Sequence, residues 1–155
     1  MAKVVYKNSV FRVEKLNIRR KGRSYIQYRV DYNTPIVVVL PILGRNQILI
    51  ERQYRGALGK HIYEIPAGRL NLGESLTGCA KRELEEETGY RAATVKPMFA
   101  DYPSPGIMGR MRYYFVATGL RKGESSPDEY EEIEVKRRCS RQKRSSNRTL
   151  CRGPG

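Results

Sequence analysis

Three glutamates near the middle of the chain have a spacing that suits a metal ion. Glu83, Glu86 and Glu87 stand at positions i, i+3 and i+4, so a helix places them on one face. Carboxylates packed so closely repel one another, and they gain nothing from the helix dipole near a C-terminal end. A hard cation among them would remove that penalty, since carboxylates, waters and phosphates are the usual ligands of Mg²⁺. The alternative is a solvated acidic helix face, which is the commoner origin of a bare glutamate run.

A longer pattern surrounds these glutamates and favours the metal. Gly68 is followed after five residues by Glu74, and after seven more by the run RELEEETGY at 82–90. The segment 64–90 resembles the Nudix box, G-x5-E-x7-R-E-U-x-E-E-x-G-U, in which U is an aliphatic residue. Tyr90 departs from it as an aromatic at the last place. The resemblance implies a hydrolase that cuts a nucleoside diphosphate linkage with residues 68–90.

The resemblance also implies roles for the acidic residues of the box. Glu83 and Glu87 would ligate Mg²⁺, with Mn²⁺ as an alternative, and Glu86 would stand alongside as a ligand and catalytic group. Metal bound there would polarise the diphosphate, help to deprotonate water and neutralise the leaving phosphate.

The basic and small residues of the box would shape the site. The resemblance implies that Arg82, counted among the catalytic residues, pairs with Glu74 or a neighbouring carboxylate and holds the loop against the helix. Gly68 would let the backbone turn tightly, so that the carbonyl of Ala67 also faces a metal.

Two segments outside the box resemble the ADP-ribose pyrophosphatase branch of this family. They are ERQYR at 51–55 and PSPG at 103–106, in which Pro105 lies 16 positions after Gly89. The resemblance implies hydrolysis of ADP-ribose to AMP and ribose 5-phosphate, with another nucleoside diphosphate sugar or nucleotide as the alternative. The residues predicted to bind substrate are Arg55 and Arg52 for the diphosphate, Glu64 for hydroxyl groups, Gly106 in the proline–glycine loop, and Tyr28 for adenine.

The general base lies outside the box. The branch uses a glutamate on a loop after the strand that follows the PSPG segment, and Glu131 fits best, with Glu129 and Glu132 as rivals. His61, the one histidine of the chain, is interpreted as a surface residue. The branch often carries an acidic residue shortly after PSPG, whereas this chain has Arg110, which favours phosphate and leaves the number of metal ions open.

The elements that position these residues predict an α+β protein, and the resemblance implies a Nudix-like α/β/α sandwich with a mixed sheet and an N-terminal antiparallel sheet. One strong helix is expected from Glu74 to Thr88, stopped by Gly89. Residues 66–73 and 119–127 are expected to be loops. Strands are expected in 3–18, Ser24–Asp31, Ile36–Leu40, Gln47–Tyr54, Ile62–Ile65, Thr94–Tyr102, Met111–Ala117 and Glu131–Val135.

Charge divides the chain into a domain and a tail. The net charge is +14, of which residues 136–155 carry +8 without any acidic residue. We expect a Nudix domain over 1–135, with residues 1–33 as a homodimer contact that the resemblance implies. Residues 136–155 have little apolar content and predict a disordered basic tail, or the product of a shifted reading frame.

Composition limits the remaining function classes. No stretch has the roughly 18 apolar residues of a membrane span, and no apolar leader is visible at the N-terminus. Three cysteines without metal-ligand spacing favour a reducing cytoplasm. The tail lacks aromatics for base stacking, so at most nonspecific, salt-sensitive nucleic-acid binding is expected. A non-catalytic nucleotide-binding module is disfavoured, because the box carboxylates are all present.

Overall fold

The computed structural model describes residues 2–126 and 132–139, which form two sheets and one α-helix. The helix α1 spans Leu76–Thr88, and a 3₁₀ turn covers Gly56–Leu58. The strands are β1 Ala2–Lys7, β2 Phe11–Arg20, β3 Arg23–Tyr32, β4 Ile36–Leu43, β5 Gln47–Arg55, β6 Lys60–Glu64, β7 Ala67–Arg69, β8 Tyr90–Asp101, β9 Arg112–Lys122 and β10 Ile133–Cys139.

The first three strands form a separate antiparallel sheet in the order β1-β2-β3. Lys21 and Gly22 both have positive φ between β2 and β3, as a tight hairpin requires. Glu14 is buried in this sheet, and it accepts hydrogen bonds from Arg12 at 2.9 Å and from Arg29 at 2.5 Å. These two guanidinium groups lower the pKa of Glu14, which explains how a carboxylate is tolerated inside the sheet.

The larger sheet has seven strands and carries the core. Its main order is β10-β5-β4-β9-β8, with β6 on β5 and β7 on β4. The pair β4 and β9 is parallel and the other pairs are antiparallel, so the sheet is mixed. Helix α1 packs on it through a fully buried cluster from β4, α1 and β9, namely Val37, Val39, Cys79, Ala80, Leu84, Phe115 and Ala117. The predicted α+β class with a mixed and an antiparallel sheet is confirmed.

Both ends of α1 follow local chemistry that the sequence displays. Ser75 is the N-cap, and its hydroxyl accepts from the Gly78 amide at 3.0 Å. Gly89 ends the helix in the left-handed region at φ 70°. A Cβ at Gly78 would lie 3.1 Å from the Ser75 hydroxyl oxygen, so the glycine inside the helix leaves room for the cap.

Several predicted boundaries were wrong where strand pairing overrode local sequence. Part of the predicted 66–73 loop forms β7, a strand too short to show periodicity. The larger sheet extends β8 back to Tyr90 and β9 on to Lys122. Within residues 2–126 and 132–139 there is one α-helix, so the second helical layer of the expected sandwich is not found in this part.

The strand β10 corrects the predicted start of the disordered tail. It runs to Cys139 and pairs with β5, from Ile133 opposite Gln53 to Cys139 opposite Gln47. Residues 136–139 are therefore ordered, because backbone hydrogen bonding to a neighbouring strand does not need apolar side chains. The rest of the predicted tail, 140–155, lies outside the described residues.

Candidate active site

A cleft of about 790 Å³ opens beside the N-terminal half of β4, between helix α1 and the start of β9. Both signs of charge line the cleft. The carboxylates include three of α1, and the guanidinium groups come from α1, β5, β7, β9 and the segment before β9. The lining residues are Ile36, Val38, Arg55, Glu64, Ile65, Ala67, Gly68, Arg69, Asn71, Arg82, Glu83, Glu86, Glu87, Arg110, Arg112 and Tyr114.

The three glutamates predicted to bind metal all face this cleft. Glu83 and Glu87 are only 8% and 5% exposed, which excludes the solvated acidic helix face as an account of these two. Glu87 accepts a hydrogen bond from the Ala67 amide at 2.9 Å. Buried carboxylates need such partners, since desolvation penalises the charged form.

Arg82 binds four carbonyl and carboxylate groups at the base of the cleft. It donates to both oxygens of Glu74 at 2.9 and 3.0 Å, to Glu83 at 2.8 Å and to Glu86 at 2.9 Å. A further bond goes to the carbonyl of Arg69 at 3.0 Å. The predicted pairing of Arg82 with Glu74 is therefore present, and the bonds to Glu74 hold the loop that precedes α1 against the helix.

These contacts shift the acid–base properties of the groups involved. Hydrogen bonds from Arg82 lower the pKa of Glu74, and those to Glu74 raise the pKa of Arg82. Burial, together with the charges of Glu83 and Glu74, raises the pKa of the Cys79 thiol to about 12. Cys79 is therefore a neutral core side chain at neutral pH and is not suited to be a nucleophile.

Gly68 is required by the position of Glu83. A Cβ at Gly68 would overlap the Glu83 carboxylate itself, so only glycine lets β7 lie this close to α1. Ala67, on the same short strand as Gly68, donates a hydrogen bond from its backbone amide to Glu87. The box thus brings β7 and α1 together around the buried carboxylates.

The donor chemistry of this corner suits a hard cation. It offers the carboxylates of Glu83, Glu86 and Glu87 beside a backbone segment, which is a typical oxygen set for Mg²⁺. Among the described residues, no three histidine, cysteine or acidic side chains converge closely enough to hold a metal as they stand. Arg82 binds only one oxygen of Glu83 and one of Glu86, so it can hold both carboxylates while their other oxygens face a cation.

Arginines outside α1 also line the cleft. Arg55 pairs with Glu64 at 2.6 Å, so these two predicted substrate residues contact each other. Arg112 donates to both oxygens of Asp101, at 3.0 and 2.9 Å. Arg110 is buried, and its guanidinium lies 4.5 Å from the centre of the Tyr32 ring.

Other predicted site residues lie away from the cleft. Arg52 is on the opposite face of β5 from Arg55 and lines a separate shallow pocket with His61 and Glu132. The carbonyl of Gly106 accepts from Gln27 at 2.8 Å. Gly106 does not line the cleft, so its predicted substrate contact is not supported by this geometry.

The remaining predictions divide between surface positions and residues that cannot be placed. Tyr28 is half exposed on the N-terminal sheet, and His61 is exposed as expected. Glu132, a rival for the general base, is exposed at the start of β10. The preferred base, Glu131, and its rival Glu129 lie outside the described residues.

Four polar lining residues were missed by the sequence reasoning, namely Arg69, Asn71, Arg112 and Tyr114. A usable signal existed for two of them. Arg112 and Tyr114 alternate along the predicted strand Met111–Ala117 and so share a face, and Arg110, already singled out, stands just before that strand. Arg69 and Asn71 sit in a segment interpreted as loop and carried no comparable signal.

The fold and the box together define a protein of the Nudix type, and comparison with known proteins agrees. The NUDIX domain profile matches residues 33–143. The chain belongs to the Nudix family.

Its relatives include the ADP-ribose pyrophosphatase of Bacillus subtilis (strain 168), 40% identical over 101 residues, which are 63% of this chain and 55% of that protein. The methanol dehydrogenase activator of Bacillus methanolicus is 42% identical over 90 residues, covering 58% and 49%. A crystal structure of an ADP compounds hydrolase superposes with a TM-score of 0.81 at 22% identity, over 90% of this chain and 76% of the other. The chain spans about half the length of the first two relatives. No helix among the described residues is long and apolar enough to cross a membrane.

Proposed function

We propose that this protein hydrolyses the diphosphate bond of ADP-ribose with Mg²⁺, giving AMP and ribose 5-phosphate. The observation that carries the proposal is a single cleft that is lined both by Glu83, Glu86 and Glu87 and by arginines. A diphosphate site uses both kinds of residue. Carboxylates hold the cation that binds some of the diphosphate oxygens, and guanidinium groups bind the remaining diphosphate oxygens. Mn²⁺ is the alternative metal.

In this proposal the metal-binding residues and the substrate-binding residues of the cleft have separate tasks. Glu83 and Glu87 would hold the metal, with Glu86 alongside, and Arg82 would keep these carboxylates in place. When bound, the metal supplies polarisation of the diphosphate and an activated water. The water oxygen bonds to phosphorus as the bridging P–O bond breaks. Glu131 is the proposed acceptor of the water proton.

Arg55 and Glu64, which also line the cleft, would bind the substrate. Their 2.6 Å ion pair orients the guanidinium at the cleft wall, from which it can donate to the diphosphate. Arg52 is no longer proposed for this task, because it lines a different pocket. Arg112 and Tyr114 are better placed.

ADP-ribose is preferred to other nucleotides because of ERQYR, PSPG and the named activities of relatives. Those relatives include an ADP-ribose pyrophosphatase and the ADP-sugar pyrophosphatase of Mus musculus, the latter 37% identical over 92 residues, 57% of this chain and 38% of that protein. Another ADP-sugar is the second candidate. A panel of ADP-ribose, other nucleoside diphosphate sugars and nucleoside triphosphates, each with Mg²⁺, separates them by kcat/KM. Preference for a triphosphate would reject the proposal.

The carboxylates are tested by Glu87→Gln against Glu85→Gln in ADP-ribose hydrolysis. Glu85 is a neighbour on α1 but pairs with the exposed Arg91 at 2.5 Å, away from the cleft. We expect Glu87→Gln to lower kcat at least about 100-fold, in the range of losing a strong transition-state contact. Glu85→Gln should stay within about twofold of wild type, since exposed ion pairs contribute little. Full activity in Glu87→Gln would remove Glu87 from the site.

We further propose a homodimer formed through the N-terminal sheet. Large apolar side chains are half exposed there, including Tyr6, Ile26 and Tyr28. Specific nucleic-acid binding is not proposed, because its one supporting feature is the net positive charge, which favours nonspecific binding.

A further inference from the structure

Arg110 is a buried cation, and part of its hydrogen-bonding capacity is not used by the described residues. It is 7% exposed, and its Nε and Nη2 atoms are buried without a hydrogen-bond partner in the described part of the chain. A buried guanidinium normally donates to carboxylates or carbonyls, because leaving its N–H groups unmatched costs the full desolvation of a charge. The face of the Tyr32 ring contacts the group at 4.5 Å, but a ring face does not replace those hydrogen bonds.

The other charged groups near Arg110 do not compensate it. Burial lowers the pKa of Arg110, the interaction with Tyr32 opposes this shift, and the positive charge of Arg69 adds to it. Arg112, two residues on, is already matched by both oxygens of Asp101. The three arginines line the same cleft. Among the described residues no carboxylate forms an ion pair with Arg110, and Asp31, which lies close to Gly109, pairs with Arg12 instead.

We propose that Arg110 binds a phosphate oxygen of the substrate directly through its guanidinium group, with Arg69 flanking it. The ligand class is a diphosphate or phosphate anion. The inference rests on the proposed function only in that the same cleft takes the diphosphate. It adds a fixed positive charge within the protein, so that part of the affinity for the anion does not depend on metal.

The fixed position of Arg110 supports a binding role. Its backbone neighbours are held to other elements, with the Gly109 amide bonded to the Val30 carbonyl at 3.0 Å and the Met111 carbonyl accepting from Ile36 at 3.1 Å. A Cβ at Gly109 would approach Arg29 Cδ at 3.0 Å, so this segment lies tightly against β3. An anion-binding group on a rigid backbone loses little entropy when its ligand arrives.

The test is binding of inorganic pyrophosphate by the full chain in EDTA, measured by isothermal titration calorimetry. Arg110→Met removes the charge at similar length, and Arg45→Met, in the exposed turn between β4 and β5, changes net charge equally. We expect Arg110→Met to raise the Kd about tenfold or more, as the loss of a charge-assisted hydrogen bond predicts. Arg45→Met should bind like wild type. Equal Kd values for wild type and Arg110→Met would overturn the inference.

The melting temperature separates binding from a structural role. Without ligand, Arg110→Met should melt at or above the wild-type temperature, because an unmatched buried charge is removed. Pyrophosphate should raise the melting temperature of wild type but not of this variant. If Arg110→Met does not fold, Arg110→Lys decides: a severalfold weaker Kd at unchanged melting temperature supports the inference, and an unchanged Kd rejects it.

Failure of the two proposals can be told apart. Pyrophosphate binding that depends on Arg110, in a protein without ADP-ribose hydrolysis, would reject the proposed function and leave this inference standing. Hydrolysis of ADP-ribose together with Arg110-independent pyrophosphate binding would reject this inference and leave the proposed function standing.

Discussion

At the scale of single residues, the site depends on a backbone position that has no side chain. The Glu83 carboxylate occupies the volume in which any Cβ at residue 68 would lie. Glu83 is also held by Arg82 at 2.8 Å, so it cannot move without breaking a charged hydrogen bond. Glycine is therefore required at position 68 because it packs against Glu83, a proposed metal ligand, and not because of its conformational freedom.

Gly68→Ala should damage both stability and the site. We expect a loss of about 1–3 kcal/mol in the free energy of unfolding, typical of overpacking. Because Glu83 must be displaced, ADP-ribose hydrolysis should fall about tenfold or more. Urea denaturation and steady-state kinetics measure the two effects.

The matched control for this change is Gly56→Ala. A Cβ at Gly56 meets no atom within 4 Å, so neither stability nor activity should change appreciably. An alanine at position 68 that is as harmless as one at position 56 would contradict the described packing of β7 on α1.

At the scale of elements, one arginine joins the loop before α1 to the helix. Arg82 lies two turns into α1 and donates to both oxygens of Glu74, which precedes the helix. Glu74 in turn accepts from the Asn71 amide at 3.1 Å. This clamp closes the segment between β7 and α1 and so sets the position of the proposed ligands.

The clamp should weaken in acid. The pKa of Glu74 is lowered from its ordinary value of 4.5 in the folded protein. Its contribution is therefore complete above about pH 4.5 and is lost as pH falls through the lower folded value. Glu74→Gln should destabilise the protein at pH 7, and the stability difference from wild type should shrink below pH 4.5. Thermal melts from pH 7 to pH 3 measure this difference.

Glu85→Gln serves as the comparison for the pH series. Its carboxylate pairs with Arg91, whose side chain is largely exposed, so its effect on stability should be small throughout. A difference between Glu74→Gln and wild type that stays constant from pH 7 to pH 3 would argue against the ionised clamp.

At the scale of the whole molecule, the N-terminal sheet presents an apolar face that the rest of the described chain leaves half open. Ile26 and Tyr28 alternate along β3 and share a face. The cross-strand pairs place Tyr6 on that same face through Val13 and Lys15 of β2. Contiguous exposed apolar side chains of this kind often mark an interface.

A charge on this face should weaken the proposed homodimer. We expect Ile26→Asp to raise the dimer dissociation constant at least about tenfold, since an unpaired carboxylate would be buried in the contact. Tyr25→Asp is the matched control, because Tyr25 is equally exposed on the opposite face of the same strand. Light scattering after size-exclusion chromatography, over a range of concentrations, measures the change. A wild-type protein that is monomeric at all concentrations would reject the dimer.

The sequence by itself determined the helix, its ends and the family. Gly89 ends α1 as predicted, the helix begins at Leu76, two positions after the predicted start at Glu74, and the glutamate spacing placed Glu83, Glu86 and Glu87 on one face. These features depend on residues a few positions apart, whose geometry in a helix is fixed by the backbone. The pairing of Arg82 with Glu74 was predicted on another ground, the resemblance to the Nudix box.

Only the tertiary structure decided which distant residues share the cleft. Arg52 and Arg55 both belong to the ERQYR segment and both were predicted to bind the diphosphate. Because side chains alternate along β5, the two arginines lie on opposite faces of the strand. Strand β10 continues through basic residues because β5 supplies its hydrogen-bond partners. The burial of Arg110 beside Tyr32 likewise joins segments 78 positions apart. Such contacts depend on how strands pair across long separations, which local patterns do not encode.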